Sequence, residues 1–235
     1  MIELFLVPAG IPKYLDRDRP VVIIDIFRAS TSIAAALAAG AKEVRFAGSI
    51  AEASRMKKTF KGRAIMAGER RGLRIGGYDL GNSPWEMTPD ILAGRTVIFN
   101  STNGTRMLKR FADFRRVAVG SLVSLTATVR FIAQHTTDPI LCCAGREGYF
   151  SGEDTLAAGM IVSRLDPAVP RDDAALAAER LVGGAGEAWR QWARDSFHGR
   201  YLTSLGLGED LDFCLDVDRY DFVPVKRGNA VIRWK

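Results

Sequence analysis

Apolar positions along the chain fall into short blocks divided by polar turns, and most blocks lead into a run of helical character. Val21-Val-Ile-Ile24 is a β-branched block without a polar position, the pattern of a strand covered on both faces and hence of a parallel sheet. It passes through Asp25-Ile-Phe-Arg28 to Ser30-Thr31-Ser32, whose hydroxyls suit an N-cap, and then to an alanine-rich helix over 33–39 ended by Gly40. The unit recurs. Residues 96–99 form a strand that leads through Asn100-Ser-Thr-Asn-Gly-Thr-Arg106 to a helix over 105–111. Residues 117–119 lead through Gly120-Ser121 to a helix ending near Gln134. Residues 139–144 lead through Gly145-Arg-Glu-Gly-Tyr-Phe-Ser-Gly-Glu-Asp-Thr155 to a helix reaching Leu165.

The other segments are shorter. Residues 2–8 are an apolar stretch ending at Pro8, a first or edge strand, and 10–20 a turn-rich connection. Residues 43–47 read as a short strand, 50–60 as an amphipathic helix with a basic outer face, and 64–67 as a brief strand. Residues 68–84 are glycine-rich and carry Glu69, three arginines and Asp79, so a long exposed loop is expected there. After the Asp166-Pro-Ala-Val-Pro170 break come helices over 172–182, 187–197 and 209–216. A hairpin of 222–225 and 230–234, joined through Lys226-Arg-Gly-Asn229, ends the chain.

Strands alternating with helices predict an α/β fold, here a three-layer α/β/α unit with a largely parallel or mixed sheet. Segment 139–162 echoes 21–47, each placing an Arg just beyond its strand and Leu-Ala-Ala-Gly in its helix. That echo raises a two-lobed arrangement within a single catalytic unit, divided near residue 90.

Composition narrows the class. At 235 residues, with 47% hydrophobic and 26% charged positions, the chain has the make-up of a soluble globular protein able to bury a sizeable core. Apolar runs are interrupted well short of a membrane span, and residues 1–20 lack the order of a signal peptide, so a cytoplasmic protein is expected. Cys142 and Cys143 sit together in an apolar run and read as core filler in a reducing compartment. The net charge of +6 is spread along the chain without a dense basic run, and a small anionic ligand accounts for it as well as nucleic acid does; no nucleic-acid partner is expected. Self-association into a homo-oligomer is left open.

Several chemistries are excluded. With two histidines, His135 and His198, the chain lacks the ligands of a His-rich zinc or di-iron site, and no Cys/His spacing matches zinc. There is no Gly-x4-Gly-Lys-Ser/Thr loop and no Gly-x-Gly-x-x-Gly after a strand. Arg146 follows Cys143 too closely for a cysteine phosphatase loop, and Phe27 stands where aspartyl-phosphate hydrolases carry a second Asp. What remains is a set of carboxylates in polar turns: Asp25, Glu69, Asp79, Glu147, Glu153 and Asp154. Hard oxygen ligands select Mg2+, which takes one or two carboxylates and completes its shell with water and substrate phosphate. Ser151-Gly-Glu-Asp154 has capping-box spacing, so Asp154 can serve its helix instead, which leaves Glu153 the better metal candidate. Arg28 and Arg146 suit bidentate recognition of phosphate, sulfonate or carboxylate.

These residues carry a resemblance. Asp25-Ile-Phe-Arg-Ala-Ser-Thr31, Gly68-Glu-Arg70, Asp79-Leu-Gly-Asn-Ser-Pro84, Ser101-Thr-Asn-Gly-Thr105, Gly120-Ser121 and Ala144-Gly-Arg-Glu-Gly148 with Glu153-Asp154 occur in that order. With Ser196-Phe-His-Gly199, residues 214–218 and Val223-Pro224, the chain resembles the 2-phosphosulfolactate phosphatase family over nearly its whole length. The resemblance implies a Mg2+-dependent phosphatase acting on phosphate esters of 2-hydroxy acids, in the route to coenzyme M. On that reading Mg2+ is held by some of Asp25, Glu69, Glu147, Glu153 and Asp154, and Arg28 and Arg146 clamp the anion. Arg70, Asn82, Thr102, Asn103, Gly104, Thr105 and Ser121 contact substrate, His198 is available to protonate the leaving alkoxide, and Asp25 either ligates metal or accepts the phosphoryl group. A non-catalytic sensor of phosphorylated or sulfonated acids is the alternative. It keeps the arginines and has no need of the carboxylate cluster.

Overall fold

The β-branched block at 21–24 is fully buried, as a strand covered on both faces must be, and its alternate side chains enter two different cores. Val21 and Ile23 face a core shared with the helix that follows, whereas Val22 and Ile24 face a second core built with later helices. In the computed structural model, which describes Met1–Trp234, the strands are β1 Glu3–Phe5, β2 Val21–Ile24, β3 Glu43–Phe46, β4 Ala64–Arg70, β5 Leu73–Arg74, β6 Thr96–Asn100, β7 Val117–Gly120, β8 Ile140–Cys143, β9 Val223–Arg227 and β10 Ala230–Trp234. The helices are α1 Ala29–Ala38, α2 Ile50–Thr59, α3 Pro89–Leu92, α4 Gly104–Arg110, α5 Leu125–His135, α6 Gly152–Val162, α7 Asp173–Ala185, α8 Trp189–Arg194, α9 Phe197–Ser204 and α10 Gly208–Cys214. They cover both faces of one ten-stranded sheet, a three-layer α/β/α arrangement.

The sheet consists of two parallel blocks joined by an antiparallel hairpin. Strands β1, β8, β2 and β7 are mutually parallel neighbours, and so are β3, β6 and β4, with β5 folded back on the outer edge. Between the blocks lie β9 and β10. Ala118 of β7 pairs with Val225 of β9, and Val231 of β10 pairs with Val44 of β3, both antiparallel. The blocks interleave in sequence, because β1, β2, β7 and β8 make one and β3–β6 the other. Residue 90 lies in α3, between two strands of the same block. The two echoing βα units are likewise neighbours: Val21 pairs with Ile140 and Ile24 with Cys143. Helix α4, which follows β6 of one block, packs on β2 of the other.

Two local expectations change. Helix α1 begins at Ala29, a turn before the expected start, so Ser30, Thr31 and Ser32 lie inside it. Their hydroxyls tie down loops instead of capping: Ser30 Oγ accepts from Asp25 N–H and Thr31 Oγ1 donates to Ile26 O in the preceding loop, and Ser32 Oγ donates to Asn82 O of a distant one. The first part of the glycine-rich segment after 67 is no open loop, because β4 runs on to Arg70 and turns into β5, whereas residues 75–83 are irregular as expected. Gly68 and Gly72 serve the hairpin. Arg71 and Gly72 both have positive φ, 52° and 80°, as a two-residue type I′ turn requires. Gly68 crosses β6 so closely that a Cβ would collide with the Asn100 carbonyl oxygen.

Cys142, Cys143 and Cys214 are buried and free, and burial pushes each thiol up, in keeping with core packing. Among the described residues no helix is long and apolar enough to cross a membrane.

The hairpin carries the junction, so the cost of weakening it is a test of the topology. Val231 is 1% exposed and faces the core shared by both blocks. Val231→Ala should cost about 2 kcal/mol in urea unfolding, and unfolding should stay a single transition. Two separate transitions would show that the blocks are independent.

Candidate functional site

The loops after β2, β6 and β8 and the β4–β5 hairpin converge on a cavity of about 240 Å³, closed from the other side by α9. Asp25, the first residue beyond β2, lies in its wall and is 6% exposed. The Ala29 N–H at the start of α1 stabilises its carboxylate, and so does the charge of His198. Burial outweighs both, and Glu69 and Glu153 add repulsion, so the carboxyl is raised to about 7. Gly104 lets α4 come this near: a Cβ there would lie 3.2 Å from Asp25 Oδ2 and 3.1 Å from Ala29 Cβ.

Glu69, at the end of β4, is a buried carboxylate in the same wall. Its Oε1 accepts from Thr102 N–H at 2.8 Å and its Oε2 from Gly72 N–H at 2.9 Å, which ties the β6 loop to the hairpin turn. Asn82 is also buried there, and its Oδ1 has no partner. The β8 loop closes the rim. Arg146 lies over the Phe197 ring at 4.2 Å, Glu147 is half exposed 3.8 Å from Arg146, and Glu147 N–H donates to Asn103 Oδ1.

Arg28 is buried and pairs with neither Asp25 nor solvent. Its Nη1 donates to Asp210 Oδ2 at 2.6 Å and its Nη2 to Gly72 O at 2.5 Å, while Ser83 Oγ donates to Asp210 Oδ1 at 2.6 Å. Arg28 thus forms part of the cavity wall with two nitrogens already committed, and α10 supplies the countercharge.

Glu153 and Asp154 lie behind the wall. Glu153 Oε1 is 2.9 Å from His198 Nδ1, and His198 lines the cavity. Burial pushes the Glu153 carboxyl up, but the hydrogen bond and charge of His198 outweigh it and hold it below its ordinary value. Asp154 does not cap α6. Its Oδ1 accepts from Ile26 N–H and its Oδ2 from Gly145 N–H, so it straps the β2 and β8 loops together, and burial raises its carboxyl well above the usual range.

Of the residues singled out by sequence, Asp25, Arg28, Glu69, Asn82, Thr102, Asn103, Arg146, Glu147 and His198 share this cavity. The rest fall outside its walls. Arg70 points away, donating to Asn100 Oδ1, because side chains alternate along β4. Thr105 Oγ1 accepts from Ser101 N–H within the β6 loop, Ser121 is buried elsewhere, and Asp79 is bound by Lys57. The walls also include Phe27, Arg71, Gly72, Ser101, Tyr201 and Leu202. Arg71 and Gly72 lay inside the segment expected to be a long loop; Tyr201, whose hydroxyl donates to Arg71 O, left no trace in the local pattern.

The cavity, lined by carboxylates and arginines and built on strand-to-helix loops, lies where open α/β sheets take small ligands. Residues 5–229 match the family model described as 2-phosphosulpholactate phosphatase. A probable 2-phosphosulfolactate phosphatase of Caldanaerobacter subterraneus is 39% identical, covering 92% of this chain and 91% of the relative. Proteins of that name from Synechocystis, 37% identical over 90% of each chain, and Clostridium acetobutylicum, 31% identical over 95% of this chain and 96% of the relative, agree. The chain therefore belongs to the 2-phosphosulfolactate phosphatase family, a family of phosphoric monoester hydrolases.

Asp25 gives the metal-free protein a distinctive pH dependence. Its carboxyl is raised in the fold from 3.8 to about 7, so folding favours the protonated form. The stability tied to that proton is fully present below about pH 4 and is lost as pH rises through about 7. In EDTA, Asp25→Asn should therefore raise the melting temperature at pH 8 and flatten its fall between pH 4 and pH 8. A melting temperature lowered at pH 8 would contradict this.

Proposed function

We propose that this chain is a Mg2+-dependent phosphatase that hydrolyses the phosphate ester of a 2-hydroxy acid, 2-phosphosulfolactate to sulfolactate and phosphate. One observation carries the reading: two buried carboxylates, Asp25 and Glu69, share a cavity of about 240 Å³ with Arg71 and Arg146. The volume suits an ester of a few carbons and is below that of sites for drug-sized ligands. The family assignment supplies the reaction class, and the relatives' names the substrate.

The residues present fit Mg2+. Among the described residues no three Asp, Glu, His or Cys side chains form a ready ligand set, and Mg2+ does not demand one, since it keeps waters and takes phosphate oxygens. Asp25 and Glu69 would hold it, with Asn82 Oδ1 as a further hard oxygen whose hydrogen-bonding capacity is otherwise unused. A bound Mg2+ would offset the charge that phosphoryl transfer develops. Such help is needed, because about 20 kcal/mol must come off the barrier of phosphomonoester hydrolysis.

The chain's own groups hold the substrate. Arg146, stacked on Phe197, presents a planar fork to phosphate or sulfonate, and Arg71 adds charge from the hairpin turn. Arg28 is held by Asp210 and Gly72 O and stiffens the wall. Asn103 and the loop 101–105 contribute neutral donors. The sensor reading leaves the buried carboxylates beside an anionic ligand without purpose, since they would repel it. In the same reading the product sulfolactate belongs to the route to coenzyme M.

Phosphate release from 2-phosphosulfolactate and related esters, with Mg2+ and with EDTA, tests the proposal. Turnover should require Mg2+, and EDTA should abolish it without loss of helical circular dichroism. Absence of turnover on every ester, with tight binding retained, would establish the sensor instead.

A further inference from the structure

We propose that Glu153 is a positioning residue that makes His198 the proton donor to the departing alcohol oxygen. The inference rests on the phosphatase reading and deepens it. It removes Glu153 from the metal site and gives it a different task.

Glu153 is 1% exposed, does not line the cavity, and directs Oε1 at His198 Nδ1 from 2.9 Å. A carboxylate facing Nδ1 requires the proton on that nitrogen, which fixes the tautomer and leaves Nε2 as the ring nitrogen free for a ligand. Phe27 packs its ring edge-on to the imidazole, centroids 6.3 Å apart at 67°, so the ring is held from a second side. His198 itself lines the cavity that Asp25 and Glu69 acidify. With Nδ1–H engaged by Glu153, the proton that the ring gives to a ligand can come only from Nε2. Nothing similar holds the other histidine: His135 Nδ1 meets the Phe131 carbonyl oxygen, and its ring packs at a tilt against Phe131 and Trp234, outside the cavity walls.

The chemistry balances. As the bond from the attacking oxygen to phosphorus forms, the bond from phosphorus to the alcohol oxygen breaks, and its electron pair stays on that oxygen. The Nε2 proton goes to the same oxygen and leaves neutral imidazole, still donating through Nδ1 to Glu153. Over a full turnover water gives OH to phosphate and its proton restores the imidazolium. Protonation matters here because the leaving group is an alkoxide of a secondary alcohol, too basic to depart unaided. A positioned general acid is worth about 10²- to 10⁴-fold.

Leaving-group dependence separates this role from a structural one. The two substrates are 2-phosphosulfolactate and its 3,3-difluoro analogue, which has the same anions and a less basic alkoxide. Glu153→Gln and His198→Asn should each lose about 100-fold in kcat on the first ester and under about tenfold on the second. The difluoro ester also reports whether each variant is folded. Equal losses on both esters, or no loss on either, overturn the proposal while leaving the phosphatase reading intact. Selectivity in His198→Asn without it in Glu153→Gln overturns the part assigned to Glu153. A wild-type protein inactive on both esters refutes the phosphatase reading itself.

Discussion

A carboxylate taken out of water beside two others is an expensive arrangement, and the cavity is organised around it. Asp25 is buried with the charges of Glu69 and Glu153 near enough to raise it. Removing an isolated carboxylate from water costs several kcal/mol after relaxation, and like charges add to that cost. The fold supplies some compensation through the start of α1 and through His198. In the proposed reading, the remaining imbalance is what a divalent cation would offset.

The rest of the site is held by groups that pair among themselves and leave the cavity side free. Arg28 and Asp210 form a buried pair whose remaining contacts, Gly72 O and Ser83 Oγ, satisfy both partners and bind α10 to the hairpin turn. Such a pair adds little net stability, yet removing one partner strands the other in a dry wall. Asp154 does a similar job for the β2 and β8 loops. At the rim, by contrast, Arg146 and Glu147 stand 3.8 Å apart and stay partly exposed, free to engage a ligand.

Much of this was legible because it is local. Strand, turn and helix follow one another within about thirty residues, so the β-branched block, the charged turn after it and the motif at 101–105 announce themselves. Non-local pairing was not legible. The insertion of the β9–β10 hairpin between two interleaved blocks leaves no mark on either neighbour's sequence. The Arg28 partner lies 182 residues away on a short helix, and Asp154 bonds an amide 128 residues distant despite its capping-box spacing. Ser30, Thr31 and Ser32 misled in the same way, since a hydroxyl that caps a helix and one that ties down a neighbouring loop look alike in sequence. Glu153 and Glu69 were indistinguishable as carboxylates in polar turns until one was found against His198 and the other in the cavity wall.

The central claim is that Asp25 belongs to a divalent cation and Glu153 to His198. Binding of Mn2+, followed by electron paramagnetic resonance without substrate, tests it directly and needs no turnover. Asp25→Asn should weaken Mn2+ binding by about tenfold or more, as loss of a ligand does, and Glu153→Gln should leave it within about twofold. Unchanged affinity in Asp25→Asn, or a loss in Glu153→Gln equal to that in Asp25→Asn, would contradict the account.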